Sequence, residues 1–242
     1  MREVAPAFYE EKSMHRCPTP LQAAIARRTL LKLAAIGTGI APGIGFPPSV
    51  GTAQTATSAP VEDAPIWSAQ YWTAKIAEKG EVRLNLWRKR VGAPKAGEPP
   101  LPVLFLVHGS SNSARTSFDL AVPGKGEYSL MNVFARYGYD VWTMDHDGYG
   151  HSGSSGNNSD VASSVADISA AMAVLPRETG RSKLHFYGTS SGAIRAAAFA
   201  QAQPDAVDRL VLVAFTYKGT GSPTLRDRAK QVEFYRANNR RT

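Results

Sequence analysis

The chain has 242 residues, which is long enough for one α/β domain of ordinary size. Of these residues 43% are apolar and 20% charged, a balance typical of a globular protein and not of a disordered one. The formal net charge is +8, but residues 1–59 carry +3 and residues 226–242 carry +4, which leaves +1 for residues 60–225. Because the excess charge lies at the two ends, a phosphate-binding face on the central residues is not indicated, and we expect no nucleic-acid partner.

The N-terminal residues 1–59 are predicted to be an export signal and a linker. Arg27 and Arg28 precede an apolar stretch at 33–41, and small residues that suit cleavage follow at 51–59. This pattern resembles a bacterial twin-arginine signal, which implies the twin-arginine export machinery as a partner and a periplasmic or secreted location. The apolar stretch is too short for a stable membrane anchor. The alternative is a basic amphipathic surface helix, but such a helix lacks a small-residue tail.

Three segments are predicted along the chain. After the signal and linker at 1–59, residues 60–222 form the folded core, and residues 223–242 are the start of a cap or a truncated tail. Folded structure is expected to begin near Trp67. Cys17 is the only cysteine and precedes the arginine pair, so the exported chain is expected to contain no disulfide and no cysteine-based metal site.

The first predicted strands form a hairpin. Segments 70–77 and 82–88 are β-like and are separated by a turn that contains Gly80. The next run, 102–107, is apolar throughout, which is typical of a strand buried on both faces of a parallel sheet.

From this run onward the sequence alternates between strand and helix patterns. Further strands are predicted at 139–144, 183–187 and 209–215, and helices at 128–137, 159–175 and 191–203. This alternation predicts a mostly parallel sheet with helices on both faces, in an α/β fold. Functional loops are then expected at the carboxyl ends of the strands.

Residues 188–192 read Gly-Thr-Ser-Ser-Gly and lie between a predicted strand and a predicted helix. This context favours a nucleophile elbow centred on Ser190, in which Gly188 and Gly192 leave room for a strained turn. The helix that begins at Ser191 would direct free backbone N–H groups toward negative charge on a substrate. The alternative is an ordinary Gly/Ser-rich loop, which the flanking strand and helix disfavour.

Two other strand ends carry polar, glycine-containing loops. His108-Gly109-Ser110 follows the first buried strand, and its glycine lets the backbone approach a ligand, so the N–H of Ser110 is a candidate oxyanion donor. Residues 145–153 read Asp-His-Asp-Gly-Tyr-Gly-His-Ser-Gly and follow the second parallel strand.

These three motifs, in this order, resemble those of the α/β-hydrolase superfamily over about residues 67–217. The resemblance implies that Ser190 is the nucleophile, that the N–H groups of Ser191 and Ser110 form the oxyanion hole, and that His108 and Gly109 support the oxyanion loop. Serine at the elbow argues against the dehalogenase and epoxide-hydrolase branches, which use aspartate there.

The resemblance also implies a reaction class. A small-molecule acyl substrate would be cleaved through an acyl-enzyme on Ser190, with no cofactor and no metal. Carboxylic esters are the expected substrates. The alternatives within the superfamily are thioesters, lysophospholipids or monoacylglycerols, and peptides of the type cleaved by proline iminopeptidases.

The sequence also departs from the superfamily pattern. Asp147 stands where relatives often have arginine, so its usual charge partner should be absent or reversed. Asp145 is expected to hold its glycine loop, His108 to brace the oxyanion loop, and His185 to be a core histidine.

The usual acid and base of the triad are not found at their expected places. In this superfamily both follow the nucleophile, yet no histidine follows His185. The acids after the elbow are poorly placed: Asp205, Asp208, Asp227 and Glu233. Two histidines of the 145–153 loop could approach Ser190, but they are expected to structure the loop or to be polar groups on the substrate side and not to act as the base: His146 and His151. A metal site in this loop is also disfavoured. A second hypothesis is therefore a C-terminally truncated hydrolase that lacks the last strands of the fold and has no triad activity.

Overall fold

A computed structural model describes residues 64–215 and 218–238. The predicted signal and linker at 1–59, with Cys17, lie outside these residues. The first strand begins at Ile66, next to the expected start of folded structure at Trp67. No helix among the described residues is long and apolar enough to cross a membrane.

Six strands form a single sheet in the order β1-β2-β4-β3-β5-β6. The strands are β1 (Ile66–Ala77), β2 (Gly80–Val91), β3 (Val103–Val107), β4 (Asp140–Met144), β5 (Leu184–Thr189) and β6 (Val207–Val213). The pairs β1·β2 and β2·β4 are antiparallel, and the pairs β4·β3, β3·β5 and β5·β6 are parallel. The mostly parallel sheet predicted from the sequence is confirmed.

Helices cover both faces of this sheet. The helices are α1 (Ala114–Phe118), α2 (Leu130–Arg136), α3 (Val161–Ala171), α4 (Leu175–Thr179), α5 (Ser191–Ala202), α6 (Pro223–Ala229) and α7 (Val232–Asn238). Successive residues of β3 alternate between two cores, because side chains of a strand point to opposite faces. Phe105 packs in the core that contains residues of α3 and α5, and Leu106 packs in the core that contains residues of α1 and α2.

The predicted hairpin forms, with longer strands than expected. β1 and β2 pair continuously from Ile66 opposite Val91 to Ala77 opposite Gly80. Gly80 has φ 121°, a value that favours glycine, and it closes the turn.

The predicted helix at 159–175 is wrong in its extent. α3 ends at Ala171, and the short helix α4 begins at Leu175 with Pro176 in its first turn. Proline lacks an N–H and clashes with the preceding helical turn, so it starts a new helix instead of continuing the old one. Gly180 then ends α4 with φ 69°.

The last strand also differs from its prediction at 209–215. β6 covers Val207–Val213 and lies at one end of the strand order, so it is not a buried strand like β3. Val211 is 50% exposed. The two helices α6 and α7 follow in the segment where the sequence predicts the start of a cap.

Candidate active site

The Ser190 turn joins β5 to α5. Ser190 has φ 56° and ψ −124°, a conformation that costs a non-glycine residue about 1–3 kcal/mol. Its N–H donates to the carbonyl oxygen of Val213 at 2.9 Å, so β6 helps to hold the turn. Ser190 is exposed. A strained serine between a parallel strand and a helix has the geometry of a nucleophile elbow.

The two flanking glycines occupy places without room for a side chain. A Cβ on Gly188 would lie 2.5 Å from the carbonyl oxygen of Gly192. A Cβ on Gly192 would overlap the carbonyl oxygen of Val107 and lie 2.6 Å from that of His108. The elbow therefore packs directly on the end of β3, which explains glycine at both positions.

The loop after β3 lies against the elbow. A Cβ on Gly109 would lie 3.2 Å from Ser190 Cβ and 3.7 Å from Ser190 Oγ. The buried ring of His108 donates from Nδ1 to the carbonyl oxygen of Gly109 at 2.7 Å, and its Nε2 accepts the N–H of His146 at 3.2 Å. Burial is the main cause that holds the pKa of His108 well below its ordinary value, and protonation of His146 would lower this pKa further. A neutral His108 thus links the loop after β3 to the loop after β4.

Ser110 and Ser191 meet beside Ser190. Their hydroxyl groups are 2.8 Å apart, which links the loop after β3 to the start of α5. Ser191 is the first residue of α5, so its N–H has no acceptor within the helix. The structure thus brings together the two residues whose N–H groups are the predicted oxyanion donors.

A cavity of about 330 Å³ opens at this point. Its lining consists of Ser110, Ser111, Ser190, Ser191, Ile194, Ala214, Gly219, Leu225 and Arg228. Among the described residues, the non-glycine residues with positive φ are Ser111, Ser190 and Ala214, and all three line this cavity. Backbone strain concentrated around one cavity is typical of a functional site.

A second cavity, of about 700 Å³, shares part of this lining. The two cavities have Ser110, Ser111, Leu225 and Arg228 in common. The lining of the larger cavity also includes Tyr149 and Ser159, and Val232 at the start of α7. Space for a substrate is therefore available from the elbow to the C-terminal helices.

Asp147, at the position where relatives often have arginine, pairs with a cation. Lys75 Nζ lies 3.0 Å from Asp147 Oδ2 and 2.7 Å from Asp167 Oδ1, and all three side chains are at most 8% exposed. Lys75 also donates to Ser163 Oγ at 2.7 Å. An arginine at position 147 would need an anionic partner, so the expected reversal of the charge partner is confirmed.

The pKa values of these carboxyl groups reflect their donors. Burial acts to raise the pKa of Asp147, but hydrogen bonds from Ser155 and the charge of Lys75 lower it below its ordinary value. Burial likewise acts to raise the pKa of Asp167, and His146 and Lys75 together lower it. Both groups are therefore carboxylates at neutral pH and carry the negative charge that Lys75 balances.

His146 belongs to the same buried cluster. Its Nδ1 lies 3.0 Å from Asp167 Oδ2, and its ring centroid lies 4.8 Å from that of His108. Burial lowers the pKa of His146, an effect that the Asp167 hydrogen bond opposes but does not cancel. The ring is neutral at pH 7 and donates from Nδ1, so His146 structures the loop and is oriented by Asp167.

The rest of the 145–153 loop is held by backbone contacts. The Asp145 carboxylate accepts the N–H of Ala114 at 2.8 Å and the N–H of His151 at 2.9 Å, which confirms its predicted role in holding the loop. The ring of His151 packs edge-on against Trp87, with centroids 5.7 Å apart. Asp145 and His151 thus have separate side-chain partners.

His185 is not the core histidine that the sequence predicts. Its side chain is 19% exposed, and Nδ1 lies 3.2 Å from Asp208 Oδ2 near the start of β6. Asp208 is thus at the opposite end of β6 from Ala214, as expected for an acid placed before the strand. Asp227 pairs with Lys230 at 2.9 Å on the surface of the C-terminal helices.

No hydrogen bond joins Ser190 Oγ to a histidine or a carboxylate within residues 64–215 and 218–238.

Three residues that shape the surroundings of the site were not predicted from the sequence. Lys75 and Asp167 meet although they lie far apart in the chain, and Arg195 is buried in an alanine-rich helix. Arg195 donates to the carbonyl oxygen of Ser159 at 3.1 Å. A charged residue within an otherwise apolar helix face was the available signal for Asp167 and Arg195.

The chain is similar to solved structures at low sequence identity, and several of these are hydrolases. A predicted CIB-like hydrolase from Thermoplasma acidophilum is 18% identical with a TM-score of 0.40, over 59% of this chain and 62% of that chain. A thioesterase domain from the curacin biosynthetic pathway is 22% identical with a TM-score of 0.41, over 69% and 52% of the two chains. The rice cell wall degrading esterase LipA from Xanthomonas oryzae is 22% identical with a TM-score of 0.43, over 58% and 38%.

The chain thus spans less than two thirds of the length of each of these structures. No curated protein matches the chain. The family described as serine aminopeptidase, S33, matches residues 99–234, which is more than half of the chain and includes all three strand-end motifs. The chain therefore belongs to the serine aminopeptidase, S33, family of hydrolases and has an α/β-hydrolase fold.

Proposed function

We propose that this protein is a serine hydrolase that acts on carboxylic esters through an acyl-enzyme on Ser190. The observation that carries the proposal is the backbone strain of Ser190, which is exposed and has φ 56°. Ser190 lines a cavity together with Ser111 and Ala214, the two other non-glycine residues of the described chain that have positive φ. Such strain persists only where the surrounding structure enforces it, and it is typical of catalytic turns.

In this mechanism Ser190 Oγ forms a bond to the acyl carbon and the carbonyl oxygen becomes an oxyanion. The N–H groups of Ser191 and Ser110 donate to that oxyanion, a contribution of about 3 kcal/mol for one such donor. The carbonyl then re-forms as the bond to the alkoxy oxygen breaks, and the alcohol leaves with the proton that the Ser190 hydroxyl gave up. Water attacks the acyl-enzyme in the same way, which releases the carboxylic acid and returns a proton to Ser190 Oγ. His108 keeps the Ser110 loop in position through its bond to the carbonyl oxygen of Gly109.

The cavity lining favours an ester over an aminopeptidase substrate. An aminopeptidase must hold the positive N-terminal amine of a peptide, and a carboxylate is the natural partner for that charge. Within the described residues, no carboxylate lines either cavity, and the charged residue that does is Arg228. A positive side chain repels the amine, so we place esters first among the possible acyl substrates.

The experiment is a single-turnover acylation measured by intact-protein mass spectrometry. The 242-residue protein is mixed with 4-nitrophenyl acetate and, separately, with proline 4-nitroanilide. We expect one acetyl adduct per chain from the ester, its absence in Ser190→Ala, and no cleavage of the anilide. Equal acetylation of Ser190→Ala would refute the assignment, and cleavage of the anilide would favour the peptidase alternative.

We also propose that the protein is exported through the twin-arginine pathway, a proposal that rests on Arg27, Arg28 and the apolar stretch after them. Replacing both arginines with lysine should leave the protein in the cytoplasm of a bacterial host, whereas the parent chain reaches the periplasm. Equal export of both forms, measured by cell fractionation, would refute it.

A further inference from the structure

The two cavities beside Ser190 hold a single charged side chain among the described residues that line them. That side chain is Arg228, which lies on α6 and lines both cavities. The rest of the lining consists of serine hydroxyls, Tyr149, Asn158, Gln231 and apolar or small residues. From the part of the lining that the structure describes, a substrate in this space therefore encounters one positive charge and no negative one.

Arg228 differs from its basic neighbours in having no partner of its own. Arg226 donates from its guanidinium to the carbonyl oxygen of Gly221 at 3.1 Å. Lys230 pairs with Asp227 at 2.9 Å. Within the described residues, the guanidinium of Arg228 forms neither a hydrogen bond nor an ion pair. Its five N–H donors are available to a ligand.

Apolar side chains also line the cavity that Ser190 and Arg228 share. Ile194 and Leu225 line the same cavity as Ser190 and Arg228. An apolar segment of a substrate can pack on these two side chains while its reacting carbonyl lies at Ser190. The lining therefore suits a molecule with an acyl group, an apolar spacer and a distal anion.

We propose that Arg228 selects esters that carry an anionic oxygen group, a carboxylate or a phosphate, beyond an apolar spacer from the reacting carbonyl. This inference rests on the proposed function, because it assigns the substrate class of the Ser190 site. Arginine suits the role because its planar guanidinium donates two parallel hydrogen bonds to a carboxylate or phosphate.

A competing explanation is that Arg228 only stabilises α6. Basic residues in the last turn of a helix interact favourably with the helix dipole, and α6 has both Arg226 and Arg228 there. This explanation applies equally to the two arginines. Arg226→Gln is therefore a matched control for Arg228→Gln, with the same helix, the same loss of charge and no place in the cavity lining.

The first experiment compares two active-site probes. One is an alkyl fluorophosphonate, and the other is the same probe with a terminal carboxylate on its alkyl chain. We expect the ratio of labelling rates, anionic over neutral, to fall about tenfold in Arg228→Gln and to stay unchanged in Arg226→Gln. The ratio should also decrease as salt is raised. An unchanged ratio in Arg228→Gln overturns the proposal.

A second experiment separates this inference from the proposed function. Binding of hexanedioic acid monoamide, its phosphate-bearing counterpart and neutral hexanamide is measured by calorimetry in Ser190→Ala, which cannot be acylated at that residue. Tighter binding of either anion than of hexanamide, lost on adding Arg228→Gln, supports the anion site even if no probe labels Ser190. Equal binding of all three compounds overturns it, whatever the reactivity of the serine.

Discussion

Replacing Lys75 with methionine removes the cation of a buried cluster and keeps most of the side-chain volume. In the parent structure Lys75 Nζ lies 3.0 Å from Asp147 and 2.7 Å from Asp167, whose side chains are 2% and 0% exposed. The variant leaves both carboxylates buried without that charge. Lys79→Met, at an exposed position in the turn of the same hairpin, is the matched control.

The expected loss in the free energy of unfolding depends on the contacts that the two carboxylates keep in the variant. Breaking a buried ion pair by removing one partner costs about 3–5 kcal/mol. Asp147 keeps the N–H of Ser155 at 2.9 Å, and Asp167 keeps the ring of His146 at 3.0 Å. Because these donors persist, we expect the lower value, about 3 kcal/mol, which for a chain of this size lowers Tm by about 6–12 °C.

The assay is urea and thermal unfolding followed by circular dichroism. Lys79→Met should change the free energy of unfolding by less than about 0.5 kcal/mol. In an Asp147→Asn background, Lys75→Met should lower the free energy of unfolding by about 1 kcal/mol less than it does in the parent chain. The reason is that only one buried carboxylate, Asp167, is then left without its cation. A cost for Lys75→Met below about 1 kcal/mol, or strict additivity of the two changes, would refute the assigned role of the cluster.

Three further predictions concern the elbow and pH. Gly109→Ala should lower the rate of fluorophosphonate labelling at least about tenfold, because the new Cβ would lie 3.2 Å from Ser190 Cβ and displace the nucleophile. Ser191→Ala should change that rate less than about fivefold, since it removes a hydroxyl and keeps the N–H; a larger loss would mean that the hydroxyl itself acts. Stability should fall as pH drops from 7 to 5. Below pH 6.5, the ordinary pKa of histidine, the side chain of residue 146 becomes protonated in the unfolded chain. In the folded chain the pKa of buried His146 is lowered, so it binds fewer protons, and acid therefore favours the unfolded state. Equal unfolding free energies at pH 5 and 7 would contradict the His146 assignment. The lowered pKa of Asp167 adds a loss in the same direction only below its ordinary value of 3.8, so no further loss on acidification below that pH would contradict the Asp167 assignment.

Local patterns predicted the elements that carry the elbow. The strand before Ser190 is predicted at 183–187 and observed as Leu184–Thr189, and the helix after it is predicted at 191–203 and observed as Ser191–Ala202. Apolar runs and flanking glycines lie next to one another in the sequence, so these signals need no tertiary information.

The parts that could not be predicted depend on contacts between distant segments. α1 (Ala114–Phe118) has only five residues and no apolar periodicity. The pairing of Lys75 with Asp147 depends on β1 and the loop after β4 meeting in the fold. His185 lies in an apolar run, yet it is partly exposed, because β6 beside it is an outer strand that leaves this part of the sheet less covered.

The central claim is that the folded elbow activates Ser190. Its most direct test is to label the native 242-residue protein with a neutral fluorophosphonate and to map the adduct by peptide mass spectrometry. We predict one adduct, on Ser190, that is absent in Ser190→Ala and in urea-unfolded protein. Labelling of another residue, equal labelling of Ser190→Ala, or no labelling of the folded chain would contradict the claim.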